Sequence, residues 1–220
     1  MSERLLIRLL PDGGATWLAQ SADGRALAGS SVGWPPAAAL AAARRVVVLV
    51  PATDVLLLEA PALTRQHAQL VRAAAYAVED QLAQPVEDLH FALARPEAGR
   101  VGVAVVARAT LDAWLARLAE AGIRADALVP ESLALRPGEL LVEADRGTLR
   151  HAPFGALALE TASLGDALAA CAASLPALSL HDAREATATP LAIEAASVER
   201  LRDPLAFLAA GLPATVPIDL

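Results

Sequence analysis

The hydrophobic pattern changes period several times along the chain. Leu5 to Leu10 is an apolar run interrupted only by Arg8, and Pro11-Asp12-Gly13-Gly14 follows as a tight turn. That combination predicts a hairpin whose returning strand is Ala15 to Gln20. Asp23-Gly24 marks a second turn, with Arg25 to Val32 as a third strand. Pro35-Pro36 leads into an Ala-rich helix over Ala37 to Arg45. Val46 to Val50 is a continuous apolar run, the pattern of a strand buried on both faces. Val55 to Ala60 predicts another strand. The period then becomes helical. Leu70, Val71, Ala74, Ala75, Val78 and Leu82 share one face of a long helix, with Thr64 as its cap and Pro85 as its stop. Beyond Pro85 the positions alternate, Val86, Asp88, His90 and Ala92 against Glu87, Leu89, Phe91 and Leu93, which predicts a strand.

The second part of the chain repeats the opening. Val101 to Arg108 reads as a buried strand, and Thr110 caps a helix from Leu111 to Ala121 that Gly122 stops. Ala125 to Val129 is a strand, followed by Pro130-Glu131-Ser132-Leu133-Ala134-Leu135. Three strands then come in sequence: Glu139 to Glu143, Thr148 to His151 and Phe154 to Glu160, with Asp145-Arg146-Gly147 as the turn between the first two. A helix over Leu164 to Ala173 and a strand at Leu178 to Leu180 complete the unit. Leu191 to Ala196 and Pro204 to Leu212 read as short helices, the second capped by Asp203. The order β-β-β-α-β therefore occurs twice, from Leu5 and from about Leu140. This is how a ribonuclease-H-like unit begins, and two such halves suggest an actin-like architecture. The expected division is 1–136, with an inserted strand-helix-strand at 54–95, and 137–220.

Composition narrows the possible functions. The 220 residues carry 55% hydrophobic and only 3% aromatic residues, so the core must be built from Leu, Val and Ala. All 18 basic residues are Arg, and the net charge of −7 argues against a broad nucleic-acid surface or a general affinity for anionic lipid. The single cysteine, Cys171, excludes an internal disulfide and a Cys-based zinc cluster, and its apolar helical context predicts a buried structural thiol. No apolar run reaches the ~18–20 residues needed to span a bilayer, and Met1-Ser2-Glu3-Arg4 lacks a signal-peptide pattern.

Candidate chemistry is sparse. The hairpins Asp12-Gly13-Gly14 and Asp145-Arg146-Gly147 have the form of phosphate-holding loops, whose amides can cradle anions and whose carboxylates can hold Mg²⁺ through water. Asp-Gly is equally the commonest hairpin turn, the second loop lacks the further Gly and Thr of a clamp, and no acid stands out as a water-activating base. His67, His90, His151 and His181 form no zinc pattern, and His90 reads as structural. His181-Asp182 could be a dyad, but Ser163, Ser174 and Ser179 lack the nucleophile context of a hydrolase. Glu79, Asp80, Glu87 and Asp88 bracket Pro85 beside Gln81 and Gln84. The acids are either a solvated face or a docking surface for a basic partner.

The run from Ala73 to Leu93, with Glu79-Asp80-Gln81-Leu82-Ala83 and Glu87-Asp88-Leu89-His90-Phe91-Ala92-Leu93, resembles the cytoplasmic domain of the inner-membrane protein L of the bacterial type II secretion system. The Pro130 segment is similar to that family's P-(D/E)-x-L-A-L-P, with Arg136 in place of the final Pro. Ile218-Asp219-Leu220 matches the opening of its (I/V)-(N/D)-L-L-Q-G segment. The resemblance implies a degenerate actin-like ATPase architecture with mixed sheets, no enzymatic activity and no cofactor. It implies an adaptor that recruits the N-terminal domain of the secretion ATPase (protein E), associates with proteins M and F, and forms a homodimer. It also implies a cytoplasmic domain of an inner-membrane protein, with a membrane helix following Leu220. Glu79, Asp80, Gln81, Glu87 and Asp88 are then the expected partner-binding residues. The alternative is an active nucleotide-binding protein using the hairpins at 12–14 and 145–147.

Overall fold

A computed structural model describes residues 2–64, 66–189, 191 and 193–220. The opening hairpin is β1 (Ser2–Leu9) and β2 (Ala15–Gln20), antiparallel with Leu6 opposite Leu18 and Ile7 opposite Trp17. A short β3 (Ser31–Val32) extends it at the edge. Helix α1 (Ala37–Ala42) then gives way to β4 (Ala43–Val50), which lies parallel to β1. After an insertion, β8 (Ala127–Pro130) pairs in parallel with β4, giving the order β3-β2-β1-β4-β8. The run Val46 to Val50 is the interior strand its sequence implied.

The insertion carries β5 (Leu56–Pro61), α2 (His67–Ala77), β6 (Leu89–Leu93), β7 (Arg100–Ala107) and α3 (Arg108–Glu120). Its three strands form a separate antiparallel sheet in the order β5-β7-β6. One face holds Leu70, Ala74, Val78, Leu89 and Val103 as a small core of its own. The other, through Leu57, Ala92, Ala104 and Val106, joins the main core.

A second five-stranded sheet repeats the plan: β9 (Glu139–Val142), β10 (Arg146–Ala152), β11 (Gly155–Glu160), α4 (Thr161–Cys171), β12 (Ser179–Asp182) and β13 (Ser197–Arg200). The order β11-β10-β9-β12-β13 matches the first sheet strand for strand, three antiparallel and then two parallel. The chain is thus α/β, with two ribonuclease-H-like units in actin-like succession. The final helix, α5 (Pro204–Gly211), returns to the first sheet, where Leu205, Leu208 and Ala209 enter the main core. Asp203 caps it, its carboxylate accepting from the Ala206 amide at 2.9 Å, and also takes the Ser30 amide at 2.7 Å. Burial would raise the Asp203 carboxyl, but these amides hold it below its ordinary value. The tail then runs beside β8: Asp219 accepts from the Leu128 amide at 2.8 Å, the Leu220 amide donates to the Leu128 carbonyl at 3.0 Å, and Ile218 is buried.

Where α5 ends, a Cβ on Gly211 would stand 2.0 Å from the carbonyl oxygen of Ala134. A backbone oxygen cannot swing aside as a side chain does. Gly211→Ala is therefore expected to lower the unfolding free energy by about 1–3 kcal/mol, read as a shifted urea midpoint with unchanged slope.

Several expectations need correction. The third strand does not occupy Arg25 to Val32: only an isolated bridge from Ala26 to Gln20 precedes Ser31, and the side-chain amide of Gln20 donates to the Gly24 and Ala209 carbonyls. Ala43 to Arg45 leave the helix because β1 offers them backbone partners, which outweighs Ala helix propensity. Thr64 does not cap α2; its hydroxyl accepts from the Gln66 amide, two residues on, and the helix starts at His67. Thr110 lies inside the first turn of α3, which begins at Arg108 directly from β7. Gly122 does stop α3: its amide bonds to Ala119 and that of Ile123 to Leu118. Leu191 to Ala196 form no helix at the described positions, and Ala192 lies outside the described residues. Cys171 is exposed rather than buried, because the last turn of α4 leaves the sheet behind after Leu168.

Candidate functional site

Between the two five-stranded sheets lies a charge-balanced cluster that the sequence reading did not identify. Arg8, on β1, is 3% exposed. Its Nε donates to Glu131 at 2.6 Å, and its two terminal nitrogens grip Glu143 at 2.7 and 2.6 Å. Arg146 adds a second cation, 3.2 Å from Glu143 and 3.9 Å from Glu131. Glu131 also accepts from the Ala52 amide at 3.1 Å. Burial alone would lower the Arg8 guanidinium, but Glu131 and Glu143 outweigh it and raise it beyond any accessible pH. Burial would raise the Glu143 carboxyl, but Arg8 and Arg146 hold it below its ordinary value. Each charge thus has an opposite neighbour, which is what makes its burial tolerable. The signal was present in the sequence: an Arg in the middle of a buried strand requires carboxylate partners.

This cluster bears on the second of the two candidate phosphate loops. At the first, the Gly14 amide donates to Asp12 at 2.7 Å and the Gly13 amide to the Leu10 carbonyl at 3.1 Å. Arg117 donates to the Gly13 carbonyl. The Gly13 and Gly14 amides are spent within their own turn. The second loop is not where the sequence placed it. The turn spans Glu143 to Arg146, closed by the Glu143 amide on the Arg146 carbonyl at 2.8 Å, and Arg146 and Gly147 belong to β10. Arg146 turns into the ion cluster, and Gly147 has no Cβ because Leu164 of α4 would lie 2.5 Å from it. His181 and Asp182 form no dyad. Asp182 pairs with Arg184 at 2.9 Å, whereas His181 packs on the Phe207 ring with centroids 4.2 Å apart. Among the described residues, no group of three or more His, Cys, Asp or Glu converges as a metal site.

The acidic junction takes a different form from the helix and strand expected. Helix α2 ends at Ala77, and Glu79–Gln81 makes a 3₁₀ turn rather than a last helical turn. Val86–Asp88 makes a second 3₁₀ turn, so β6 starts only at Leu89. Val78 is buried and Leu82 half-buried, which pins the two turns to the small sheet, while Glu79, Asp80, Gln81, Gln84, Glu87 and Asp88 are exposed. None of the four acids has an ion-pair partner among the described residues. Arg108 lies close but donates to the Glu87 carbonyl at 3.0 Å. His90 is half-buried in β6, and burial together with Arg108 keeps its imidazole below the ordinary range. The junction therefore displays four carboxylates on a rigid base.

Residues 10–211 match the family model for the type II secretion system (T2SS), protein L. The chain is 32% identical over 192 residues to the type II secretion system protein L of Pectobacterium carotovorum subsp. carotovorum, covering 81% of this chain and 44% of that protein. It is 37% identical over 137 residues to the Klebsiella pneumoniae protein of the same name, covering 60% and 34%. The chain thus spans less than half the length of these curated relatives. Among solved structures, it is similar to the cytoplasmic domain of EpsL, an inner-membrane component of the Vibrio cholerae type II secretion system. The TM-score is 0.71 and the identity 27%, over 96% of this chain and 94% of that one. The type IV pilus biogenesis complex PilM-PilN shares the fold, with a TM-score of 0.52 at 16% identity over 83% of this chain and 81% of that one. Among the described residues, no helix is long and apolar enough to cross a membrane.

Proposed function

Because the chain belongs to the type II secretion system protein L family, we propose that it is a non-catalytic adaptor that recruits the N-terminal domain of the secretion ATPase, protein E, to the inner-membrane platform. The observation that carries this reading is the pair of acidic turns at 79–81 and 86–88, exposed and without a cationic partner among the described residues. A basic face on the ATPase domain would complete those charges, giving fast, oriented encounter as well as specificity. Glu79, Asp80, Gln81, Glu87 and Asp88 are the residues assigned to the contact. The division into halves at 1–136 and 137–220 belongs to the same reading, as do association with proteins M and F, homodimerisation, and a place on the cytoplasmic face of the inner membrane. Anchoring at the membrane would turn a modest affinity into a high local concentration.

The competing reading, an active nucleotide-binding protein, has less support. The amides at Gly13 and Gly14 already have acceptors, and Arg146 is committed to Glu143. Co-elution of the chain with the N-terminal domain of its cognate ATPase on size exclusion tests the adaptor reading, alongside a calorimetric titration of MgATP into the chain alone. Co-elution with no nucleotide heat is expected. Saturable heat from MgATP without co-elution would transfer the assignment to the two hairpins.

A further inference from the structure

A groove of about 480 Å³ runs alongside the acidic junction. One wall is Leu82, Ala83 and Gln84, the segment that joins the two acidic turns; the opposite wall is Ala156, Leu157 and Ala158 of β11. Leu56 and Val105 of the small sheet also line it, and Asp54 is among its polar residues. The groove thus lies between the inserted sheet and an edge strand of the second five-stranded sheet.

We propose that this groove is a second part of the partner-docking surface, and that it takes a basic protein segment carrying aliphatic side chains, which would fill the space beside Leu56 and Ala158 while an Arg or Lys reaches Asp54. This rests on the adaptor reading above and extends it from the acidic turns to a second sheet. Charge complementarity selects the occupant. Asp54 has no ion-pair partner within reach among the described residues, and Glu79, Asp80, Glu87 and Asp88 continue the same sign past the Leu82 wall. A lining that mixes aliphatic side chains with polar groups, beside an acidic rim, disfavours an acidic segment, and it fits a segment with aliphatic and cationic residues on one side. Burial and the nearby Glu131 push the Asp54 carboxyl up, against Arg146, so an incoming cation would relieve an unfavourable charge there.

The site also touches the ion cluster. Asp54 closes a 3₁₀ turn that begins at Ala52, and the Ala52 amide is the donor held by Glu131. A segment seated in the groove would contact the inserted sheet, the second sheet and the turn that leads to the buried charges. It would therefore sense how the two units sit against each other.

The test compares binding of the cognate ATPase's N-terminal domain to the wild-type chain, Asp54→Arg and Ala158→Trp by calorimetry. Circular dichroism melts report whether each variant is folded. Asp54 is exposed, so Asp54→Arg is expected to stay folded even if the bulky Trp disturbs β11. Wild-type binding with an affinity at least tenfold lower for folded Asp54→Arg supports the groove. Wild-type binding that folded Asp54→Arg leaves unchanged overturns the groove and leaves the acidic turns as the contact. Absence of wild-type binding overturns the adaptor reading itself, and the groove proposal with it.

Discussion

Replacing Arg8 by methionine is expected to lower the unfolding free energy by about 3–5 kcal/mol, the usual cost of removing one partner from a buried ion pair. The loss comes less from the missing attraction than from what remains. Glu131 and Glu143 would face each other across a buried space with only Arg146 to neutralise them. Equilibrium denaturation in urea measures the loss directly. The pH dependence gives an independent check. The folded-state value of Glu143 is depressed by Arg8 and Arg146. Its contribution is therefore complete above the unfolded carboxyl value of about 4.3 and is lost as pH falls through the lower folded value. Wild-type stability should fall as pH is lowered below about 4.3, and Glu143→Gln should remove this part of the slope.

Reversing both Glu79 and Asp80 to Arg is expected to weaken binding of the ATPase N-terminal domain by roughly a hundredfold, about 2.8 kcal/mol, with no change in melting temperature. Both residues are exposed and have no ion-pair partner among the described residues, so the described fold loses no contact of that kind when they change. The interface would lose two attractions and gain two like-charge contacts. If the affinity of the reversed protein matches that of the wild type, these residues are not at the contact, whatever the domain binds.

The strands that build the two five-stranded sheets were largely legible because their residues follow simple periods. Leu5 to Leu9 and Val46 to Val50 are apolar along their whole length, apart from Arg8, and became neighbouring interior strands. The repeated β-β-β-α-β order carried over to two sheets of identical strand order. What periodicity could not show were contacts between distant segments. The tail lies against β8 through Asp219 and Leu128, 91 positions apart in sequence. Helix α5 crosses back to the first sheet because Leu205, Leu208 and Ala209 find their core there, not beside the preceding strand. Arg8 and Glu143 are separated by 135 positions, and only the fold joins them.

The acidic junction was half legible. The four carboxylates and their exposure followed from the sequence, but the two 3₁₀ turns did not. Val78 and Leu82 continue a helical period that the chain abandons at Ala77, because two short turns bury Val78 and pack the half-buried Leu82 against the small sheet while leading the chain into β6. The groove beside the junction was not legible at all, since one of its walls, Ala156 to Ala158, comes from the other five-stranded sheet.

The most direct test of the adaptor assignment is an isothermal titration of the N-terminal domain of the cognate secretion ATPase into this chain at physiological salt. Saturable one-to-one binding that weakens as salt is raised is the predicted result, since exposed carboxylates are placed at the contact. No binding at any salt concentration, from two folded proteins, would contradict the assignment.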